Sequence, residues 1–257
     1  MIAAPEVIRN AQGERLDFTY QPAGGTHIHS GVPRAVVVLA HGVTAHKDRP
    51  WLIALADALS QAGLASVRLS FAGNGASEGR FEDAVPSKAV GDLGSVVDAL
   101  DRWGVPKVAY VGHSMGGAVG VLRTAIDSRI ACLVSLAGMV HVHAFMQAQF
   151  GHLAPGTPML DKPECPWSPA LADDAARIGS VTAQAARIRV PWLLVHGDAD
   201  ELVPYKDALD ARAAADGRPE LVTLPGIDHR FTGAVPEMVA LVVDWLVRVH
   251  DARRVEP

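Results

Sequence analysis

Cysteine is scarce in this chain, with two residues, Cys132 and Cys165, among 257. Two thiols cannot build a disulfide framework, and Cys132 falls inside an apolar run, Ile130–Leu136, that reads as a buried strand. A reducing, cytoplasmic setting is the expectation. Long apolar runs are missing too. No stretch reaches the roughly 18 residues of a membrane span, and the short runs 35–40 and 192–195 read as core strands. Residues 1–6 hold no basic stretch leading into an apolar run, so no signal peptide is expected. Positive charge is not in excess: 23 Lys and Arg stand against 28 Asp and Glu, a net charge of −5 mixed along the chain. A nucleic-acid partner would call for a basic stripe, and none is present. Internal repeats and low-complexity tails are also absent.

What is present suits one large α/β domain spanning 1–257. Apolar residues make up 49% and charged residues 20%, and the length allows a core that needs no staples. Residues 7–9 and 15–20 predict a leading β-hairpin, followed by a glycine-bearing loop with His27 and His29. Strands are then predicted at 35–40, 65–69, 107–111, 130–136, 191–196 and 220–224. Helices are predicted at 51–62, 87–103, 118–126, 205–215 and 235–250, from apolar residues at helical spacing. Alternating strands and helices imply a parallel sheet with helices on both faces. Residues 138–187 break the alternation. They hold Pro155, Pro158, Pro163, Pro166 and Pro169 and read as a long irregular lid, because a segment of this length in a compact domain is usually a functional cover.

The chemistry centres on Gly112-His113-Ser114-Met115-Gly116, a G-x-S-x-G pattern between a predicted strand and a predicted helix. A serine on so tight a turn is forced into a strained backbone that points its hydroxyl outward, and the glycines avoid collisions with strand and helix. A serine hydroxyl is a poor nucleophile and needs a base, which needs an orienting carboxylate. Two segments that follow strands offer these: His196-Gly197-Asp198-Ala199-Asp200-Glu201-Leu202-Val203-Pro204 and Gly226-Ile227-Asp228-His229-Arg230-Phe231. Asp198, Asp200 and Asp228 compete for the carboxylate role. Loops at the C-terminal ends of parallel strands are where such sheets place ligands.

These segments, with His41-Gly42-Val43-Thr44 and Phe71-Ala72-Gly73-Asn74-Gly75-Ala76-Ser77-Glu78-Gly79, resemble the α/β-hydrolases. The likeness is to bacterial carboxylesterases, including feruloyl (cinnamoyl) esterases, and to the monoglyceride-lipase and serine-aminopeptidase-like group. The resemblance implies a mostly parallel, twisted, eight-stranded sheet with a short lid inserted after the sixth strand. It implies Ser114 as nucleophile, His229 as general base and acid, and Asp200 as the carboxylate, at the second aspartate of G-D-x-D-x-x-V-P. Ala72 and Asn74 depart from the family's usual R/Y-G-H-G-x-S loop, a change expected to alter loop packing rather than chemistry. Oxyanion donors are expected at the backbone N–H groups of Met115 and Val43. Supporting roles fall to His41, Gly42, Gly112, His113, Gly116 and, beside the acid, His196.

From the irregular segment, His141, His143, Phe145, Met146, Phe150 and Trp167 are expected to border the pocket. His46, Lys47 and Asp48 read as a polar loop cluster. Asp83, Asp92, Asp173 and Asp174 read as solvated or capping. His27-x-His29 and His141-x-His143 lack the further ligands of a metal site, so no metal and no cofactor are expected. The implied activity is a serine carboxylesterase acting on small to medium acyl or aryl esters through an acyl-enzyme. The same three residues can also cleave monoacylglycerols, thioesters, lactones or amides, and a non-catalytic binder of small ligands is a third reading. A monomer and a homodimer fit the pattern equally.

Overall fold

A computed structural model describes residues 4–24, 33 and 35–255; His27 and His29 lie outside them. The first elements are a small antiparallel pair, β1 (Ile8–Arg9) and β2 (Arg15–Leu16), and then β3 (Phe18–Gln21). The single strand predicted over 15–20 is split at Asp17, whose N–H donates to Ser77 Oγ (2.7 Å). There the chain leaves the hairpin and joins the main sheet. Next come β4 (Val36–Ala40), α1 (Pro50–Gln61), β5 (Ala65–Leu69), α2 (Pro86–Trp103), β6 (Val108–His113), α3 (Met115–Thr124) and β7 (Ile130–Leu136). An inserted segment follows, with α4 (Val142–Phe150), a hairpin of β8 (Pro158–Met159) and β9 (Lys162–Pro166), α5 (Pro169–Ile178) and α6 (Thr182–Ala185). The chain then returns to the sheet with β10 (Trp192–Gly197), α7 (Lys206–Ala214), β11 (Glu220–Leu224) and α8 (Val235–Val255).

The central sheet has the order β11-β10-β7-β6-β4-β5-β3. Only β3 runs antiparallel to its neighbour. Among the described residues it has seven strands rather than the expected eight, because β1 and β2 pair with each other and not with the sheet. In chain order the insertion therefore follows the fifth strand of the sheet, not the sixth. It is also not irregular: three helices and a hairpin fill it, and α5 starts at a Ser168 cap (Oγ to the Leu171 N–H, 3.2 Å) with Pro169 in its first turn.

β4 shows why the strands read as unbroken apolar runs. Val36, Val38 and Ala40 face one core, beside residues of α2 and α3, while Val37 and Leu39 face a second core built with α1 and α8. A strand buried on both faces needs an apolar residue at every position. α3 starts at Met115, earlier than the predicted residue 118, because small residues let it lie close against β6. A Cβ on Gly120 would sit 2.5 Å from the ring of Tyr110. Two of the acids expected to be solvated or capping are buried. Asp92 accepts the Ala72 N–H (2.8 Å) and the Asn10 amide (2.9 Å), and Asp174 caps α2 from a distance by accepting the Ser87 N–H (2.8 Å). No helix among the described residues is long and apolar enough to cross a membrane.

After β4 the chain steps outward to β5, then returns to β6 on the other side of β4. This reversal opens a crevice at the C-terminal ends of β4 and β6, where open α/β sheets bind their ligands.

Candidate active site

β6 ends at His113 and α3 begins at Met115, which leaves Ser114 alone to make the turn. It does so at φ 55° and ψ −119°, a conformation that residues with a Cβ avoid. The strain is held by neighbours. Ser114 donates its N–H to the Leu136 carbonyl (3.0 Å), and its own carbonyl accepts from Gly117 (2.9 Å) and Met139 (3.0 Å). Gly112 and Gly116 are required by space. A Cβ on Gly112 would lie 2.2 Å from the Gly116 oxygen, and one on Gly116 would lie 2.7 Å from the His41 oxygen.

The loop after β4 passes directly against this turn. A Cβ on Gly42 would meet Ser114 Cβ at 2.8 Å, so glycine is what lets the loop approach. His41 holds it from beneath, fully buried, with both ring nitrogens engaged. Nε2 accepts the Phe71 N–H (3.0 Å), so the proton sits on Nδ1, which donates to the Gly42 oxygen (2.8 Å). Burial lowers the His41 pKa to about 4 and keeps it neutral. Val43 follows, and its N–H has no hydrogen-bond partner among the described residues. Met115, the first residue of α3, presents an N–H that no helical carbonyl can reach. In the Phe71–Gly79 loop the two departures meet each other, Asn74 Nδ2 donating to the Ala72 oxygen (3.2 Å).

Asp200 lies in the loop after β10, its side chain wholly inaccessible. Oδ1 accepts the N–H groups of Leu202 (2.9 Å) and Val203 (2.8 Å), and Oδ2 meets His229 Nδ1 at 2.8 Å. His196 Nε2 lies 3.1 Å from the same Oδ2 and 3.0 Å from the Val203 oxygen. Burial alone would favour the neutral acid, but the bonds from His196 and His229 outweigh it and hold the carboxyl well below the usual range. The competing aspartates bond to backbone instead. Asp198 accepts the Gly226 N–H (2.6 Å), and Asp228 accepts those of Arg230 (3.1 Å) and Thr232 (2.8 Å).

His113 braces the other side of His229. Its Nε2 is 2.9 Å from the His229 oxygen, which requires the proton on Nε2, and the two rings stand 4.7 Å apart. Burial, then the neighbouring His229, lowers its pKa to about 3, so His113 remains a neutral donor.

The family profile described as Serine aminopeptidase, S33 matches residues 31–164, over half of the chain. The chain belongs to that family. The matched stretch holds the His41–Val43 loop and the serine turn but ends before Asp200 and His229. A monoacylglycerol lipase of Mycolicibacterium smegmatis is 28% identical over 91% of this chain and 97% of its own. Among solved structures, ferulic acid-bound Est1E from Butyrivibrio proteoclasticus superposes with a TM-score of 0.85 at 22% identity, covering 96% of this chain and all of that one. A monoacylglycerol lipase of Paleococcus ferrophilus gives 0.69 at 18% identity, covering 91% and 99%. The fold is thus that of the α/β-hydrolases.

In this S33-family chain, Ser114 and His229 line one cavity of about 320 Å³, together with Gly42, Val43, Trp51 and Phe145. Of the six residues expected to border the pocket from the insertion, Phe145 alone does so. Met146, Phe150 and Trp167 are packed into the apolar core, the last two with rings 5.7 Å apart. His141 turns to Asp210 on α7 (2.7 Å), and His143 sits exposed on α4. No group of three or more metal-ligating side chains occurs among the described residues. The sequence reading missed Arg49, Leu160, Lys162, Leu202 and Arg230, which complete the lining. They come from four segments of the chain, Leu160 and Lys162 sharing the β8–β9 hairpin, and no local motif marks them. Lys162 Nζ also donates to the Thr44 oxygen, tying β9 to the loop beside Val43.

Proposed function

We propose that this carboxylic ester hydrolase works as a serine esterase with Ser114, His229 and Asp200 as its reacting set. The observation that carries the reading is the Asp200–His229 bond of 2.8 Å behind a cavity that Ser114 and His229 both line. Asp200 fixes the proton of His229 on Nδ1, which leaves Nε2 as the acceptor for the serine proton. Ser114 Oγ attacks the ester carbonyl, and its proton passes to His229 Nε2. The tetrahedral oxyanion is met by the N–H groups of Val43 and Met115. His229 then protonates the departing alcohol, and water activated by the same nitrogen releases the acid.

The inserted residues 138–187 act as the lid of this site. Phe145, Leu160 and Lys162, all from that segment, lie in the cavity lining and support the assignment. A space of this size suits small to medium acyl or aryl groups. Monoacylglycerol is the second reading, favoured by the Mycolicibacterium smegmatis relative, which matches nearly end to end.

Ser114→Ala is expected to cut hydrolysis of p-nitrophenyl butyrate by about a thousandfold or more and to abolish labelling by a fluorophosphonate probe, with circular dichroism unchanged. Full residual activity would sink the reading. A panel of p-nitrophenyl esters of rising chain length, methyl ferulate and a monoacylglycerol ranks the substrates.

A further inference from the structure

The cavity over Ser114 is lined by three cations, Arg49, Lys162 and Arg230, and by no Asp or Glu. They arrive from three places: the residue before α1, the start of β9, and the position after His229. None of the three forms an ion pair within the described residues. Lys162 meets the neutral Thr44 carbonyl, and the guanidinium groups of Arg49 and Arg230 have no hydrogen-bond partner there. This is not a reflection of overall charge, because the chain carries a net −5 and has acids to spare. Elsewhere its cations find carboxylates readily, as Arg129 does with Asp98 and Asp127 and Lys88 with Glu14.

Like charges gathered around a partly enclosed space repel, and reduced hydration there strengthens the repulsion. Lys162 registers this. Burial first, and then Arg49 and Arg230, hold its ammonium below the usual lysine pKa, against the opposing pull of Cys165 and exposed Glu164. Arg230 is exposed and feels Asp228 nearby, so an arriving anion would chiefly relieve Lys162 and half-buried Arg49, with Arg230 adding to the attraction.

We propose that the ester cleaved at Ser114 carries a second, anionic group, a carboxylate or a phosphate, that seats on Arg49, Lys162 and Arg230. The inference rests on the serine esterase reading above. Lys162 reaches the loop beside Val43, and Arg230 adjoins His229, so the anion and the scissile carbonyl share one cavity. A guanidinium can hold either oxyanion through paired N–H groups.

The test compares matched esters on the full-length wild-type enzyme at low ionic strength. Monomethyl adipate is set against methyl hexanoate, which places the charge on the acyl side. 4-Acetoxybenzoate and 4-acetoxyphenyl phosphate are set against 4-methylphenyl acetate, which places it on the alcohol side and separates carboxylate from phosphate. At least one anionic ester is expected to exceed its neutral partner by about tenfold or more in kcat/KM, mainly through KM, with the preference shrinking as salt is added. The anionic-to-neutral ratio is expected to fall toward one in Arg49→Gln/Arg230→Gln and in Lys162→Met, and to recover partly in Arg230→Lys. Equal or better turnover of every neutral partner, by an enzyme that a fluorophosphonate labels at Ser114, overturns the proposal and leaves the esterase reading intact. Absence of both labelling and hydrolysis overturns the esterase reading, and the anion site falls with it.

Discussion

The positive φ at Ser114 sets the residue in the wall of the cavity at the expense of backbone energy. Strain of this kind costs about 1–3 kcal/mol when the residue has a Cβ. Two variants without the hydroxyl separate strain from chemistry. Ser114→Gly and Ser114→Ala should both be inactive, yet the glycine variant should unfold at higher urea, by about 1–2 kcal/mol. Equal midpoints would show that the turn is unstrained. At this scale the sequence was most legible where a function is written in adjacent letters. The serine turn and the His-Gly pair stand out for that reason, whereas the choice of Asp200 over Asp198 and Asp228 rests on the family's G-D-x-D-x-x-V-P pattern. Arg49, Lys162 and Arg230 do not, because their meeting is a product of three distant segments, two loops and the start of β9. The sequence expects His141 and His143 beside the pocket, but His141 is drawn off by Asp210 on α7 and His143 is exposed on α4.

Between elements, the joint of α2, α3 and β7 is fastened by charge. Asp127, in the turn between α3 and β7, accepts from Arg123 (2.6 Å) and Arg129 (2.8 Å), and Arg129 reaches on to Asp98 of α2 (2.7 Å). The hydrogen bonds from Arg129, with those from Arg123, hold the Asp127 carboxyl far below its ordinary pKa in spite of burial. Removing it in Asp127→Ala leaves two arginines facing a gap and should cost about 2–3 kcal/mol in urea unfolding at pH 7. The contribution is present above the unfolded aspartate value near 4 and is lost as pH falls below it. The difference between wild type and variant should therefore narrow in acid, and a constant gap would count against the ion pairs. Strands and long helices could be read to within a few residues, because burial on both faces of the sheet leaves little choice of residue. The inserted segment could not, since its prolines resemble loop punctuation. Pro169 marks a helix start after Ser168, and Pro158 and Pro166 pair across a hairpin.

Across the whole molecule, two buried histidines set a dependence on acidity. His41 and His113 stay neutral down to about pH 4 and about pH 3, whereas an unfolded chain takes up those protons near 6.5. Stability from both is complete above pH 6.5 and drains away as pH falls towards 4. Melting temperature should drop between pH 7 and pH 4.5, less steeply in His113→Gln. A variant slope as steep as wild type would exclude His113 as a source. The order of the sheet carries a further consequence. The proposed nucleophile sits in the turn after β6, while its proposed acid and base lie on the loops after β10 and β11, more than 80 residues further along. The proposed set therefore depends on long-range packing: the loops after β10 and β11 must be seated against the turn after β6 before Ser114 and His229 can share a cavity.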